Sequence, residues 1–359
     1  MNNRAVKCRT KQWYRVQLTG FFVISRFDDV RSVLLDPERF SSQTYDRSGS
    51  ERARAQRMLE IYQDRGWVPA PTLVDAFIDK GYCGWMQALA VPLPLTVIGQ
   101  QVGVPEADIW KIKAWTDSWV QRASMMQSEE QEHWSVEMEI EAQHYFQPVF
   151  ERLRTRPDDT LLSDMVNRVI PEWDRPLNDD ELHAAMMADT FVGGSETSTN
   201  AIAYGMKLLI ENPHIRSQLK ADPDQYMNTF VEEVVRLEGP VQGLMRITTC
   251  DVEMQGVTMP KSSIVHIRFA AANRDGNEFV CPADIDLERA KPGRHLGFGS
   301  GIHHCLGAPL ARRELFWAFT VLVERIEDMW FAVGKNDFTQ APSFALRALR
   351  ELHIEFKAT

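Results

Sequence analysis

One cysteine in this 359-residue chain stands in a setting suited to chemistry. Cys305 lies in Gly297–Arg313, GFGSGIHHCLGAPLARR, surrounded by Gly297, Gly299, Gly301 and Gly307. Glycines allow a tight loop and let backbone approach a flat ligand. Pro309 suits the first turn of a helix that follows, which places Cys305 at a helix N-terminus. The partial positive charge there favours a thiolate over a thiol. Loop N–H groups can also donate to the sulfur and tune a metal-bound thiolate. Two plainer readings compete: a buried free thiol beside a turn, and a glycine loop that cradles phosphate at a helix start. Neither G-x-x-x-x-G-K-[ST] nor a strand–glycine–helix dinucleotide fingerprint is present.

A second constellation is Val192–Thr199, VGGSETST. Adjacent Gly193 and Gly194 cost a helix roughly 1 kcal/mol each against alanine. Either something must come close to the backbone or the helix must distort. Glu196 and Thr197 follow, and a carboxylate in an apolar setting is expensive to bury without partners. The plain alternative is a kinked helix with Glu196 reaching solvent. Glu233 and Arg236 form a third pair, three apart on one helix face. On a surface such a pair contributes little.

The elements that must position these groups are mostly helical. Asn178 with Glu181 three residues later forms a capping box. The helix it opens runs to Asn212, before Pro213, a span of roughly 50 Å. A further helix covers Asp224–Leu237, and a last long one begins just after Cys305. Gly20–Arg26 reads as a strand and Phe27–Leu35 as a short helix. Arg52–Asp64 reads as a charged surface helix, broken by WVPAP at Trp67–Pro71. From Val74 to Leu153 the pattern is mostly helical, interrupted by Pro92, Pro94 and Pro105. Short strands are expected at Arg246–Thr249, Val252–Met254 and Ile264–Phe269, and the tail Ala345–Phe356 alternates like a hairpin. The fold class is therefore mainly α with small β-sheets, in a single domain over residues 1–359.

Composition bounds the function. Hydrophobic residues make up 44% and charged residues 25%, a soluble globular balance. A net charge of -10 argues against wholesale nucleic-acid or anionic-membrane binding. Cys8, Cys83, Cys250, Cys281 and Cys305 show no C-x-x-C spacing, which speaks against a zinc site or redox dithiol. A disulfide framework does not suit so long a chain, and a cytoplasmic, reducing setting follows. The N-terminus has no apolar leader, and no apolar run is long enough to span a bilayer. No membrane anchor and no nucleic-acid partner are expected.

The run Phe298–Gly307, F-G-x-G-x-H-x-C-x-G, resembles the haem-binding signature of the cytochrome P450 family. The likeness extends from about Gly20 to the C-terminus with one gap. It implies a bacterial-type, soluble haem-thiolate monooxygenase with haem b held between the long helix and the cysteine loop. Cys305 would be the axial metal ligand, pushing electron density onto iron to favour O–O cleavage. Phe298, Gly299, Gly301, His303 and Gly307 would shape the loop around the cofactor. Arg246, His295 and His303 would meet the haem propionates. Gly193 and Gly194 would make room for dioxygen, Thr197 would lie beside it, and Glu196 would relay protons from solvent. The acid–alcohol pair favours an O2-using monooxygenase over a peroxide-driven oxidase. The resemblance makes Glu233–Arg236 a buried support for the cysteine loop, Asn273–Arg274–Asp275 a structural turn and His304 a surface residue. Pocket-lining candidates are Met186, Met187, Asp189–Thr190, Val241–Leu244 and Phe344–Ala345. They describe a mostly apolar cavity for a small molecule and leave steroid, terpene, alkyl and aromatic substrates open. Electrons would come from NAD(P)H through ferredoxin reductase and ferredoxin. Lys291, Arg294, Arg312 and Arg313 form a basic patch suited to an acidic ferredoxin.

One departure stands out. Family members of this type carry a D-P-x-x-H-x-x-x-R helix after a segment like WVPAPTL, and its His and Arg serve a propionate. Here Leu73 runs directly into Val74–Gly81, which resembles the end of the next helix. A stretch long enough for two helices is missing, and the chain begins close to its first strand. The loss would uncover one haem edge and remove part of the ferredoxin-docking surface. It keeps open a second reading, a truncated haem-binding or inactive member without monooxygenase turnover.

Overall fold

The computed structural model describes residues 13–15, 20–42, 70–123, 127–171, 173–340, 343 and 346–359. The expectations for Arg52–Asp64, Trp67–Pro69 and Phe344–Ala345 lie outside these residues.

Helix dominates. The first part of the chain forms α1 (Phe27–Leu34), α2 (Ala70–Asp75), α3 (Pro92–Val102), α4 (Ile109–Ala123), α5 (Glu129–Thr155) and α6 (Leu161–Asn167). Leu73 and Val74, the two sides of the join, fall inside one short helix, α2. Only Val74 and Asp75 of Val74–Gly81 are α-helical; a 3₁₀ turn at Ile78–Lys80 follows, and Gly81 is left-handed. Pro92 marks a boundary as expected, opening α3 after a helical segment that ends at Ala90, whereas Pro94 interrupts nothing: it lies in the first turn of α3, where a missing N–H is tolerated.

The long helix forms where the capping box places it. Asn178 Oδ1 accepts from the Glu181 N–H and Glu181 accepts from the Asn178 N–H, both at 2.9 Å. Three segments continue one rod: α7 (Asp179–Ala184), a π-helical segment (Ala185–Glu196) and α8 (Thr197–Glu211). Pro213 then opens α9 (Pro213–Ala221), followed by α10 (Pro223–Glu238), the four-residue α11 (Phe269–Ala272) and α12 (Ala308–Arg325). The rod is the spine of the core. Phe191, Ile202 and Leu209 are fully buried on it. The π-segment packs on α3 and α4, and α8 packs on α10 and α12. Where α8 crosses α12, a Cβ on Gly205 would run into the Phe319 ring.

The strands fall into two sheets and a ribbon among the described residues. One sheet has the order β1 (Trp13–Arg15), β2 (Phe22–Ile24), β8 (Ile264–Ile267), β5 (Leu244–Thr248), β3 (Phe40–Ser41). The ribbon pairs β6 (Val252–Met254) with β7 (Val257–Met259). The other sheet places β10 (His353–Ala358) between β4 (Tyr82–Gly84) and β9 (Ile326–Phe331). The tail is thus not a hairpin within itself. Its alternation fits one strand with a buried face, Ile354 and Phe356, paired on one side with the preceding strand β9 and on the other with β4 from far back along the chain. No helix among the described residues is long and apolar enough to cross a membrane.

Candidate active site

The cysteine loop folds as a glycine-shaped turn on the end of a helix. Gly299 and Gly301 have φ of 69° and 73°, a region that disfavours residues with a Cβ. At Gly301 a Cβ would also meet the Leu34 carbonyl of α1. The Cys305 N–H donates to the Phe298 carbonyl at 2.8 Å, closing the loop. Pro309 lies in the first turn of α12, as expected. The Cys305 side chain is exposed. Burial by the surrounding loop raises the thiol; the Gly307 amide, Arg312 and the Ala308 amide pull it the other way. A cysteine at a helix start, served by two amides, fits a metal-bound thiolate.

Beneath the loop lies a buried ion network. Glu233 and Arg236 are fully buried and paired through two hydrogen bonds of 2.7 and 2.8 Å. Arg289 adds a third contact to Glu233 at 2.8 Å. Arg236 also donates to the carbonyls of Asn273, Pro282 and Asp284. Asn273 Oδ1 in turn accepts the Leu296 N–H at 2.7 Å, one residue before the cysteine loop. Removing one member of such a network strands a buried charge. The pair therefore acts as scaffold for the loop, through the N-R-D turn.

The remaining loop candidates are placed as follows. Phe298 is half-buried, with the Arg312 guanidinium over its ring at 4.4 Å. His303 Nε2 hydrogen-bonds Ser42 Oγ at 2.7 Å. His295 is buried and both ring nitrogens are engaged, Nε2 by Glu232 at 2.8 Å and Nδ1 by the Gly297 N–H at 3.1 Å. Arg246 is buried on β5 and donates to the Met245 carbonyl at 2.8 Å. Glu232, which sequence reasoning passed over, organises this side. Burial alone would raise its carboxyl, but His295 and Arg312 outweigh that and hold it down to about 2. The basic patch is smaller than expected for the same reason. Arg312 is held by Glu232 at 2.5 Å and the exposed Arg294 pairs with Glu278, leaving Lys291 and Arg313 as exposed members without a carboxylate partner among the described residues.

On the long helix, the two glycines have separate tasks. A Cβ on Gly194 would press on Ile98 of α3 at 3.0 Å, so Gly194 serves packing. Gly193 is exposed and nothing lies closer than 3.9 Å to its would-be Cβ. Thr197 is half-buried one turn on, and its Oγ1 donates to the Gly193 carbonyl at 2.9 Å. Glu196 does not reach solvent. It is buried, accepts from Thr116 Oγ1 at 3.0 Å, and lies 3.2 Å from Lys113 Nζ. Burial raises its carboxyl, and Lys113 opposes that rise. Lys113 also pairs with Asp117 one turn along α4. Lys113 and Thr116 carried no local signal in the sequence, since only tertiary packing brings α4 to the π-segment. Among the pocket candidates, Met186 and Met187 are buried while Asp189 is exposed.

Comparison with known proteins agrees with this geometry. The cytochrome P450 family profile matches residues 114–328. The chain belongs to the cytochrome P450 family. It is 33% identical over 304 residues to the cytochrome P450 monooxygenase PikC of Streptomyces venezuelae, covering 84% of this chain and 70% of that one. It is 30% identical over 287 residues to the steroid C26-monooxygenase of Mycobacterium tuberculosis, covering 79% and 75%. Among solved structures it resembles P450BioI bound to an acyl carrier protein carrying hexadec-9Z-enoic acid, with a TM-score of 0.84 at 25% identity over 97% of this chain and 95% of that one. As a cytochrome P450, this chain is an oxidoreductase of the monooxygenase type, and its cofactor is haem b.

Proposed function

We propose that this P450 inserts one oxygen atom of O2 into a small, largely apolar molecule, with electrons from NAD(P)H delivered through a ferredoxin reductase and a ferredoxin. The observation that carries this is Cys305, exposed at the mouth of α12, with Gly193 exposed and Thr197 half-buried on the rod that packs against α12. Haem, when bound through Cys305, supplies the iron at which dioxygen is reduced.

The chain's own residues have these roles. The Gly307 and Ala308 amides and Arg312 stabilise negative charge on the sulfur. The Glu233–Arg236–Asn273 network fixes the loop. The Thr197 hydroxyl holds a proton at the open face, and Glu196 resupplies it from the Lys113 side. Arg246 and His303 border the propionate edge, and His295 acts there through Glu232. Lys291 and Arg313 offer charge to an acidic ferredoxin. The whole chain, residues 1–359, works as one cytoplasmic domain.

A second reading is a haem protein without turnover. The joining of Leu73 to Val74 inside α2 favours it, because the D-P-x-x-H-x-x-x-R segment expected there as a propionate anchor is missing from the sequence. One experiment separates the two. Ferrous protein exposed to carbon monoxide should give the thiolate-type Soret band, and Cys305→Ala should abolish it. A histidine-type band, or a spectrum unchanged by Cys305→Ala, overturns the haem-thiolate assignment. A thiolate band with no NAD(P)H-dependent product from any substrate class selects the second reading.

A further inference from the structure

Glu232 and Glu233 are neighbours on α10 with separate work. Glu233 pairs with Arg236, whose guanidinium goes on to three backbone carbonyls, a scaffold. Glu232 turns instead to side chains on the cysteine side. Its carboxylate accepts from Arg312 Nε at 2.5 Å and from a second Arg312 nitrogen at 3.2 Å. Its Oε2 also meets His295 Nε2 at 2.8 Å. The Arg312 guanidinium lies over the Phe298 ring, and the Phe298 carbonyl takes the Cys305 N–H at 2.8 Å. Arg312 is also the charged side chain that pulls the Cys305 thiol downward. Contacts thus run unbroken from the acid to the cysteine.

A cation beside a metal-bound thiolate draws electron density from it and favours the reduced, more negative state of the metal. Left alone, Arg312 would act with its full charge. Glu232 grips the guanidinium through two hydrogen bonds and offsets that charge. The Glu232 and Arg312 side chains are 13% and 33% exposed, so water screens the pair only in part. We propose that Glu232 is a positioning residue that acts through Arg312 to hold down the one-electron reduction potential of haem bound at Cys305. The electron comes from the redox partner and takes ferric iron to ferrous; no covalent bond forms or breaks. The inference rests on the haem-thiolate reading above and adds a control on how readily the iron takes that electron.

The test is potentiometric titration of the haem-loaded protein with mediator dyes, with the ferrous carbon monoxide spectrum taken for each variant. Glu232→Gln keeps the shape and removes the charge. It should shift the reduction equilibrium about tenfold toward ferrous iron, a rise of about 59 mV for one electron. Arg312→Gln should shift it about as far toward ferric iron. The double variant should return to within about threefold of the native protein, and Arg312→Lys, which keeps the charge, should stay there too. Shifts of opposite sign that cancel are the mark of an offset charge, whereas a residue that only supports the loop gives disturbances that add. Equal potentials throughout, or shifts of one sign in both single variants, overturn the proposal while the native thiolate-type band stands. A single variant that binds haem but loses that band overturns it as well, since Glu232 and Arg312 then serve loop support. A native protein without the band brings down the haem-thiolate reading itself, and this inference with it.

Discussion

Lys113 Nζ lies 3.2 Å from Glu196 Oε1, so a residue of α4 holds the acid next to Thr197 from outside the long helix. The two side chains are largely buried. Replacing Lys113 by Met leaves the carboxyl without its cation and drives its pKa further upward, the direction burial already imposes. The folded form then binds a proton more tightly than the unfolded one. Stability is therefore retained at low pH and lost as pH rises above the ordinary carboxylate range. We expect a loss of about 3 kcal/mol at pH 8 and a smaller one at pH 5, by thermal or urea unfolding. A loss that is the same at both pH values would dissociate Lys113 from Glu196.

Thr197→Ala removes a hydroxyl whose only described contact is the Gly193 carbonyl within its own helix. Such back-bonding contributes little to stability, so the melting temperature should hold within a few degrees. Product formed per NAD(P)H consumed should fall by about 100-fold, the lower end of general acid contributions. The carbon monoxide band should be unchanged. Unaltered coupling between electron use and product would remove Thr197 from the proton path.

Glu314 is the least expected acid in the molecule. It sits on α12 with no exposed surface, and neither carboxyl oxygen makes a hydrogen bond of good geometry among the described residues, the Ser198 hydroxyl being its one polar neighbour of note. Burial pushes it up to about 8, with Ser198 of α8 easing it only in part. Its folded pKa exceeds its unfolded value, so its contribution is favourable below about pH 4.5 and is lost as pH rises toward about 8. Glu314→Gln removes the titration and keeps the shape. Urea midpoints of the native protein should fall between pH 5 and 8, and those of Glu314→Gln should fall less. Parallel curves for the two proteins would place the carboxyl in contact with water.

Gly205→Ala tests the helix crossing. A methyl group there meets the buried Phe319 ring, which is packed on all sides and cannot swing away. We expect about 2 kcal/mol of destabilisation, in the range of overpacked cores. Glycine in mid-helix is otherwise unfavourable, so an alanine variant of higher stability would show that the crossing has slack.

The frame of this site was readable because its signals are local. Asn178 and Glu181 cap the long helix within three residues, Pro213 ends it, and Gly299 through Gly307 spell out the cysteine loop. Partnerships made at a distance were not readable. The hydrogen bond of His295 to Glu232 spans 63 positions. The same carboxylate takes Arg312 out of the expected basic patch. The cover that α4 gives Glu196, through Thr116 and Lys113, left no local signal either. The π-winding of Ala185–Glu196 leaves no periodicity that differs clearly from an α-helix, apart from the two glycines near its end. Glu314 did leave a trace, a single carboxylate heading the apolar run Leu315–Val323.

The strand pairing of the tail has a temporal meaning. Tyr82 and His353 are joined by a 2.8 Å hydrogen bond across 271 positions. The segment that follows the Leu73–Val74 join finds its β-partner only when His353–Ala358 has been translated. During synthesis the nascent polypeptide must keep Tyr82–Gly84 as an unpaired edge while helices on either side collapse. Final closure of this half of the molecule thus waits for residues 353–358, and so does any prosthetic-group capture that depends on it.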